Sequence, residues 1–259
     1  MTCRSLLLLA LAFLAAGGVS VEASDGRSVS IAAAANFVYA LDALNTEFKR
    51  VNSGVTLVST TGSSGSLYAQ IKHGAPFDLF LSADTDYPRQ IVESKLGDAS
   101  SLRVFATGRM AVWTTRLDAD LTNLAAVIRS PLVRKVAIAQ PRSAPYGRAA
   151  QAALEHIGVW REVEPNLVFG ENVSQTAQFV ETGNAEIGFV AVSIVRSPKL
   201  EHTGHWREIA PDLYEAVSLD HAGVLTTRGA ANPAAKRYLD FLGSEHAKKI
   251  LRDYGYAVP

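Results

Sequence analysis

The apolar positions along the chain keep changing period. Short unbroken runs that suit buried strands alternate with the three-and-four spacing of one-sided helices. Val29-Ser30-Ile31-Ala32-Ala33 reads as a first strand, and Phe37, Leu41, Leu44 and Phe48 then form one stripe on a helix over residues 37–50. Val55–Ser59 is a second strand, Leu67–His73 a short helix, Asp78–Leu81 a buried strand and Asp84–Ser94 another helix. That order predicts a mostly parallel sheet covered by helices. After the strand candidate Arg109–Thr114 the alternation restarts. Leu121–Arg129 is helical, Lys135–Ala139 a strand, Tyr146–Gly158 a helix, Leu167–Gly170 a strand, Val173–Thr182 a helix and Ile187–Val190 a strand. Residues 198–212, with Pro198, Gly204 and Pro211, read as loop; Tyr214–Leu219 and Gly223–Thr226 read as strands; Pro233–Leu242 and Ser244–Tyr254 are closing helices. The expected architecture is α/β. One lobe comprises residues 24–108 and 223–259 and the other 109–222, joined by crossing strands near 107–112 and 219–224.

The first residues have a different pattern. Arg4 precedes an unbroken apolar run from Leu6 to Ala16, followed by small residues up to Val21-Glu22-Ala23. A charged start, an apolar run and a small-x-small site read as a secretory signal peptide, residues 1–23, cut after Ala23 with Ser20 as the second choice. A membrane span needs about 20 apolar residues, and Leu6–Ala16 falls well short. The single cysteine, Cys3, precedes the run, so the mature chain has no disulfide, thiolate metal site or cysteine nucleophile. The mature chain is nonetheless long enough to bury an adequate core. Lys+Arg and Asp+Glu are 25 each, without the basic excess of a nucleic-acid binder.

Candidate chemistry sits where strands end and helices begin, because open α/β sheets bind ligands beyond the carboxyl ends of their strands. Four junctions share one character: Ala34-Ala35-Asn36-Phe37, Thr60-Thr61-Gly62-Ser63-Ser64-Gly65-Ser66, Ser143-Ala144-Pro145-Tyr146-Gly147 and Glu171-Asn172-Val173-Ser174. The first turn of a helix has free backbone N–H groups and a partial positive charge. Several such ends converging would hold an anion without Lys or Arg. Taken singly, each junction is more often an ordinary cap than a site, since Asn, Ser and Thr are the usual cap residues; the weight rests on the set. Enzyme motifs are poor: residues 62–66 do not match Gly-x-Ser-x-Gly, and no P-loop or GxGxxG is present. His202-x-x-His205 reads as a solvated pair, His73 and His156 as helix C-terminal residues, and Asp84 as a cap for the following helix.

At these junctions the sequence resembles the periplasmic molybdate-binding proteins of molybdenum ABC transporters. The matching segments are Ala34–Phe37, Thr61–Gly65, His73-Gly74-Ala75-Pro76-Phe77-Asp78-Leu79-Phe80-Leu81-Ser82-Ala83-Asp84, Ala144–Gly147, Gly188–Ala191 and Tyr254-Gly255-Tyr256, spread over the whole mature chain. The resemblance implies a type II periplasmic-binding fold, two α/β lobes with a hinge of crossing strands, and a tetrahedral oxyanion held by neutral donors. Carried over by position, Asn36 and Ser64 would donate through backbone N–H and side chain. Tyr146 and Val173 would donate through backbone N–H, and Ala35 would add a contact. The ligand would be molybdate or tungstate, with no cofactor, no direct metal ligand and no catalytic residue. The partners would be an inner-membrane permease with a cytoplasmic ATPase, the protein itself being a periplasmic monomer. Some relatives place a tyrosine hydroxyl at the position of Ala191, which alanine cannot supply; Tyr146 and Asn36 are the candidates to compensate. A binder of sulfate, another oxyanion or a small organic acid, with Arg142 or Arg148 clamping a carboxylate, is the second reading. A periplasmic enzyme on the same fold is the third, and a transcription-factor effector domain is disfavoured by the export signal.

Overall fold

The computed structural model describes residues 27–118 and 120–259; the leader read at 1–23 lies outside them. Two five-stranded sheets form the frame. The first half contributes β1 (Ser28–Ala34), α1 (Val38–Val51), β2 (Thr56–Gly62), α2 (Ser64–Lys72), β3 (Leu79–Ser82), α3 (Asp86–Glu93) and β4 (Arg103–Thr107). The second half contributes β5 (Met110–Thr114), α4 (Leu124–Ile128), β6 (Val136–Ala139), α5 (Pro145–His156), α6 (Trp160–Val163), β7 (Leu167–Gly170), α7 (Val173–Glu181), β8 (Ile187–Ala191), α8 (Val192–Val195) and β9 (His205–Glu208). The chain then returns through β10 (Asp220–Leu225), α9 (Thr227–Ala230), α10 (Pro233–Phe241) and α11 (Glu245–Asp253).

The sheet orders are β2-β1-β3-β10-β4 and β7-β6-β8-β5-β9. Each sheet has a parallel core, β2-β1-β3 or β7-β6-β8, and an antiparallel flank. The expectation of mostly parallel sheets therefore holds only for the cores. In each flank one strand that follows a crossing, β10 or β5, runs against both of its neighbours. The loop expected over 198–212 contains β9, whose short HWRE run alternates exposed and half-buried residues against β5. The strand expected at Tyr214–Leu219 is instead a 3-10 turn, Pro211–Tyr214, followed by irregular chain, because Pro211 fixes a helical φ at its start. Asp220–Leu225 is one strand whose pairing with β4 begins at Asp220 opposite Thr107, so the second crossing precedes it and the expected 222/223 division falls inside β10.

Packing follows the apolar stripes. Phe37, Leu41, Leu44 and Phe48 are all buried, and Phe48 meets Tyr238 at 4.9 Å and Phe241 at 5.5 Å between ring centroids. Burying one such side chain contributes about 1.5–3 kcal/mol. The C-terminal α10 and α11 thus cover β1 and α1 of the first sheet.

The crossing between the sheets is polar but closed to water. Gly108, between β4 and β5, donates its N–H to Leu219 at 2.9 Å, tying the two crossing segments together. A Cβ on Gly108 would run into the Tyr146 hydroxyl and His221 Cε1. His221, in β10, is fully buried; its Nδ1 lies 2.6 Å from the Leu219 carbonyl, an acceptor only, so Nδ1 carries the proton. Nε2 is then the acceptor for Asn36 Nδ2 at 2.7 Å. Burial, the dominant cause, pushes the His221 pKa from 6.5 down to about 4.

Two outcomes follow from this hinge. Gly108→Ala should lower stability by about 1–3 kcal/mol, read as a drop in thermal midpoint; an unchanged midpoint would mean that Tyr146 and His221 can shift freely. His221 is neutral when folded but protonates below 6.5 when unfolded, so stability should fall as pH drops from about 6.5 to about 4. The full loss is roughly 3 kcal/mol. Urea unfolding across that range should show the slope, and His221→Gln should flatten it; a slope that persists in the variant points to another group.

Candidate functional site

The strand-to-helix junctions read from the sequence meet in one place. Ala34, Ala35 and Asn36 after β1 and Gly62, Ser63 and Ser64 after β2 face Ala144, Pro145 and Tyr146 at the start of α5 and Asn172 and Val173 at the start of α7. Together they line a small cavity between the sheets. All the residues named from the sequence, Ala35, Asn36, Ser64, Tyr146 and Val173, are in its wall and buried. On one side it adjoins a larger polar groove that shares Gly62, Ser63 and Asn172 with it. Beside it the lobes touch, with Gly65 N–H bonded to the Ser143 carbonyl at 2.8 Å and Arg148 to Asp84 at 2.6 Å.

The cap reading and the site reading of these junctions turn out to be compatible. In α7, Asn172 Oδ1 accepts the N–H groups of Ser174 and Gln175, both at 3.0 Å, which leaves the N–H of Val173 without an acceptor. In α2, Ser63 Oγ accepts from Ser66 N–H at 3.3 Å and Gly65 N–H goes to the Ser143 carbonyl at 2.8 Å, which leaves Ser64 N–H. In α5, Pro145 at the first position has no N–H and Gly147 N–H bonds the Ala144 carbonyl at 2.9 Å, which leaves Tyr146 N–H. Each cap satisfies the deeper donors and leaves one at the rim of the cavity. Ala35 and Asn36 occupy the first turn of a 3-10 helix, whose leading N–H groups have no acceptor within the element.

The side chains sort differently. Ser64 Oγ accepts the Ala83 N–H at 3.0 Å, which orients the hydroxyl and leaves its proton to donate. Asn36 is otherwise engaged: both Nδ2 protons are taken, by His221 Nε2 and by the Tyr256 hydroxyl, each at 2.7 Å. Its carbonyl receives the Ser193 hydroxyl at 2.9 Å and the Tyr256 hydroxyl at 3.1 Å. The side-chain donation expected of Asn36 is thus directed into the hinge, and its backbone N–H remains for the cavity. Asn36 Oδ1 and the Tyr146 hydroxyl are buried without a partner. Burial pushes the Tyr146 pKa well up, so that hydroxyl keeps its proton.

Ala191 is not in the cavity wall; it is buried at the end of β8 opposite Met110. Of the two residues expected to compensate there, Asn36 has no free amide proton and Tyr146 has a free hydroxyl proton.

The cavity wall contains no charged side chain. Arg142 is exposed, and Arg148 is bonded to Asp84, so neither arginine of the organic-acid reading reaches the cavity as a free clamp. Asp84 does accept the Tyr87 N–H at 3.3 Å as the expected helix cap, but its second oxygen takes Arg148 from the other lobe. His202 is solvated and beside Glu201, and among the described residues no cluster of His, Cys, Asp and Glu could hold a metal ion. Sequence reasoning did not find His221 or Ser193, which hold Asn36. Their only signal was an apolar setting that made each look like core.

Residues 29–257 match the family model of the bacterial extracellular solute-binding proteins. The molybdate-binding protein ModA of Rhodobacter capsulatus is 38% identical over 92% of this chain and 91% of its own length. The ModA protein of Azotobacter vinelandii is 32% identical over 93% of this chain and 94% of its own length. The solved structure of an Azotobacter vinelandii periplasmic molybdate-binding protein superposes with a TM-score of 0.83 and 27% identity, covering 89% of this chain and 99% of that one. These proteins are binders of solutes rather than enzymes, and the fold with its paired lobes agrees with them: the chain belongs to the bacterial extracellular solute-binding proteins, in the family of the ModA proteins.

Proposed function

We propose that this protein captures molybdate, or the nearly isosteric tungstate, between its lobes and delivers it to an ABC permease driven by a cytoplasmic ATPase. The supporting observation is the row of first-turn N–H groups, of Ser64, Tyr146 and Val173, left unpaired around a cavity with no charged wall. A desolvated dianion needs many hydrogen bonds, and fixed N–H groups supply them while setting the size of ion that fits. With no Asp or Glu in the wall, the O–H of a protonated oxyanion such as phosphate meets no carboxylate acceptor. The ligand contacts are the N–H groups of Ala35, Asn36, Ser64, Tyr146 and Val173 and the Ser64 hydroxyl, with the Tyr146 hydroxyl as the donor that stands in for the missing group at Ala191. The lobes are residues 24–108 with 220–259, and 109–219. No described helix is long and apolar enough to cross a membrane; residues 1–23 act as the cleaved leader and the mature monomer works in the periplasm.

A thermal-shift screen with molybdate, tungstate, sulfate and phosphate tests this. At a hundredfold excess over Kd a ligand adds about 2.7 kcal/mol, which for a chain of this size raises the midpoint by roughly 5–10 °C. Molybdate and tungstate should do so and phosphate should not; no shift with either of the first two sinks the assignment. Ser64→Ala removes a hydrogen bond to a charged ligand, about 1.5–3 kcal/mol. Molybdate affinity by calorimetry should fall about 10- to 100-fold, and an unchanged affinity would take the Ser64 hydroxyl out of the site.

A further inference from the structure

We infer that Asp84 and Arg148 form a closure latch, an ion pair made only when the lobes shut, which sets how long the captured anion stays inside. The inference builds on the oxyanion-binding reading for its kinetic part alone. Asp84 follows β3 in the first lobe, and its side chain is 3% exposed. Oδ1 accepts the Ser82 hydroxyl at 2.8 Å and the Tyr87 N–H at 3.3 Å, which fixes the carboxylate from its own lobe. Oδ2 accepts Arg148 Nη2 at 2.6 Å from the second lobe. The guanidinium also lies over the Tyr87 ring, 5.7 Å from its centroid. Among the described residues this is the one ion pair that joins the lobes; other bonds between them go to main-chain carbonyls, such as Gly65 N–H to Ser143, the Ser193 hydroxyl to Asn36 and Arg109 Nε to Gly255.

Both ends of the latch are tied to the cavity. The Ala83 N–H that orients Ser64 is adjacent to Asp84 in the chain, and Arg148 shares the first turn of α5 with Tyr146. Lobe opening that withdraws Tyr146 from the anion must also withdraw Arg148 from Asp84. Contact is close enough that residue 65 has to be glycine: a Cβ there would stand 2.9 Å from the Ser143 carbonyl and 2.5 Å from the Tyr87 hydroxyl. Closing buries the Asp84 carboxylate, and Arg148 is its countercharge. Removing Arg148 leaves a buried charge uncompensated in the closed state only, which is worse than losing the pair altogether. Removing the charge of Asp84 should therefore do less harm, because an amide there still accepts from Ser82 and Tyr87.

The test uses the full mature chain and the variants Arg148→Met, Asp84→Asn and the double substitution. Small-angle X-ray scattering without ligand reads the closed population; stopped-flow release reads the lifetime of bound molybdate. Arg148→Met should enlarge the ligand-free radius of gyration and speed release about tenfold. Asp84→Asn should do so less, and adding it to Arg148→Met should recover part of the loss. That recovery separates a latch from a folding defect, which a second substitution would deepen. Wild-type radius and release rate in Arg148→Met overturn the latch, and so does a double variant no better than Arg148→Met. If the wild type fails to bind molybdate, the ligand assignment fails, and the scattering comparison still decides the latch.

Discussion

Everything in this molecule depends on the need to replace the water around an ion with donors that do not themselves need neutralising. A lysine or arginine in the cavity would hold an anion strongly but would be a buried unpaired charge whenever the cavity was empty. A first-turn N–H group is milder. It is polar and fixed in direction by the helix behind it, and it tolerates brief desolvation. The two-lobed fold brings several such groups, from helices on both sheets, to the wall of one cavity.

The caps show how this is arranged. Asn172 uses its oxygen on the second and third donors of α7 and Ser63 its hydroxyl on the third donor of α2, which stabilises each helix start in the ordinary way. The first N–H is left pointing past the cap. A junction that looks like a routine cap in the sequence is a routine cap, and the proposed binding group is what the cap does not reach. The hinge behind it is organised around one buried neutral imidazole. Because Nδ1 of His221 must donate to Leu219, Nε2 must accept, and this orients the Asn36 amide. Residue 36 is thereby held rigid at the mouth of the cavity from beneath.

Much of this was legible in the sequence, and the failures have physical reasons. Helices with a clear apolar stripe, such as α1, α5 and α7, and short all-apolar strands such as β3 and β8 were readable because burial imposes their period locally. The wall of the cavity was readable because Gly, Ser and Asn at helix starts are a local requirement. β9 was not, since a four-residue edge strand of polar residues is defined by its partner β5 and not by its own pattern. The direction of the Asn36 side chain was not either, because its partners His221 and Tyr256 lie 185 and 220 residues away. Asp84 was recognised as a cap, but nothing local could announce that Arg148 takes its other oxygen.

Pro145 bears on how such a site can change over time. A cavity whose donors are main-chain groups is almost deaf to side-chain replacement: at Tyr146 or Val173 most exchanges alter shape and leave the N–H in place. The residue type that deletes a main-chain donor is proline, and the first turn of a helix is where proline is best tolerated. α5 already has one there, next to the donor it keeps. Drift at this surface is therefore quiet until a proline arrives one position further along, when the site would lose a contact in a protein that still folds.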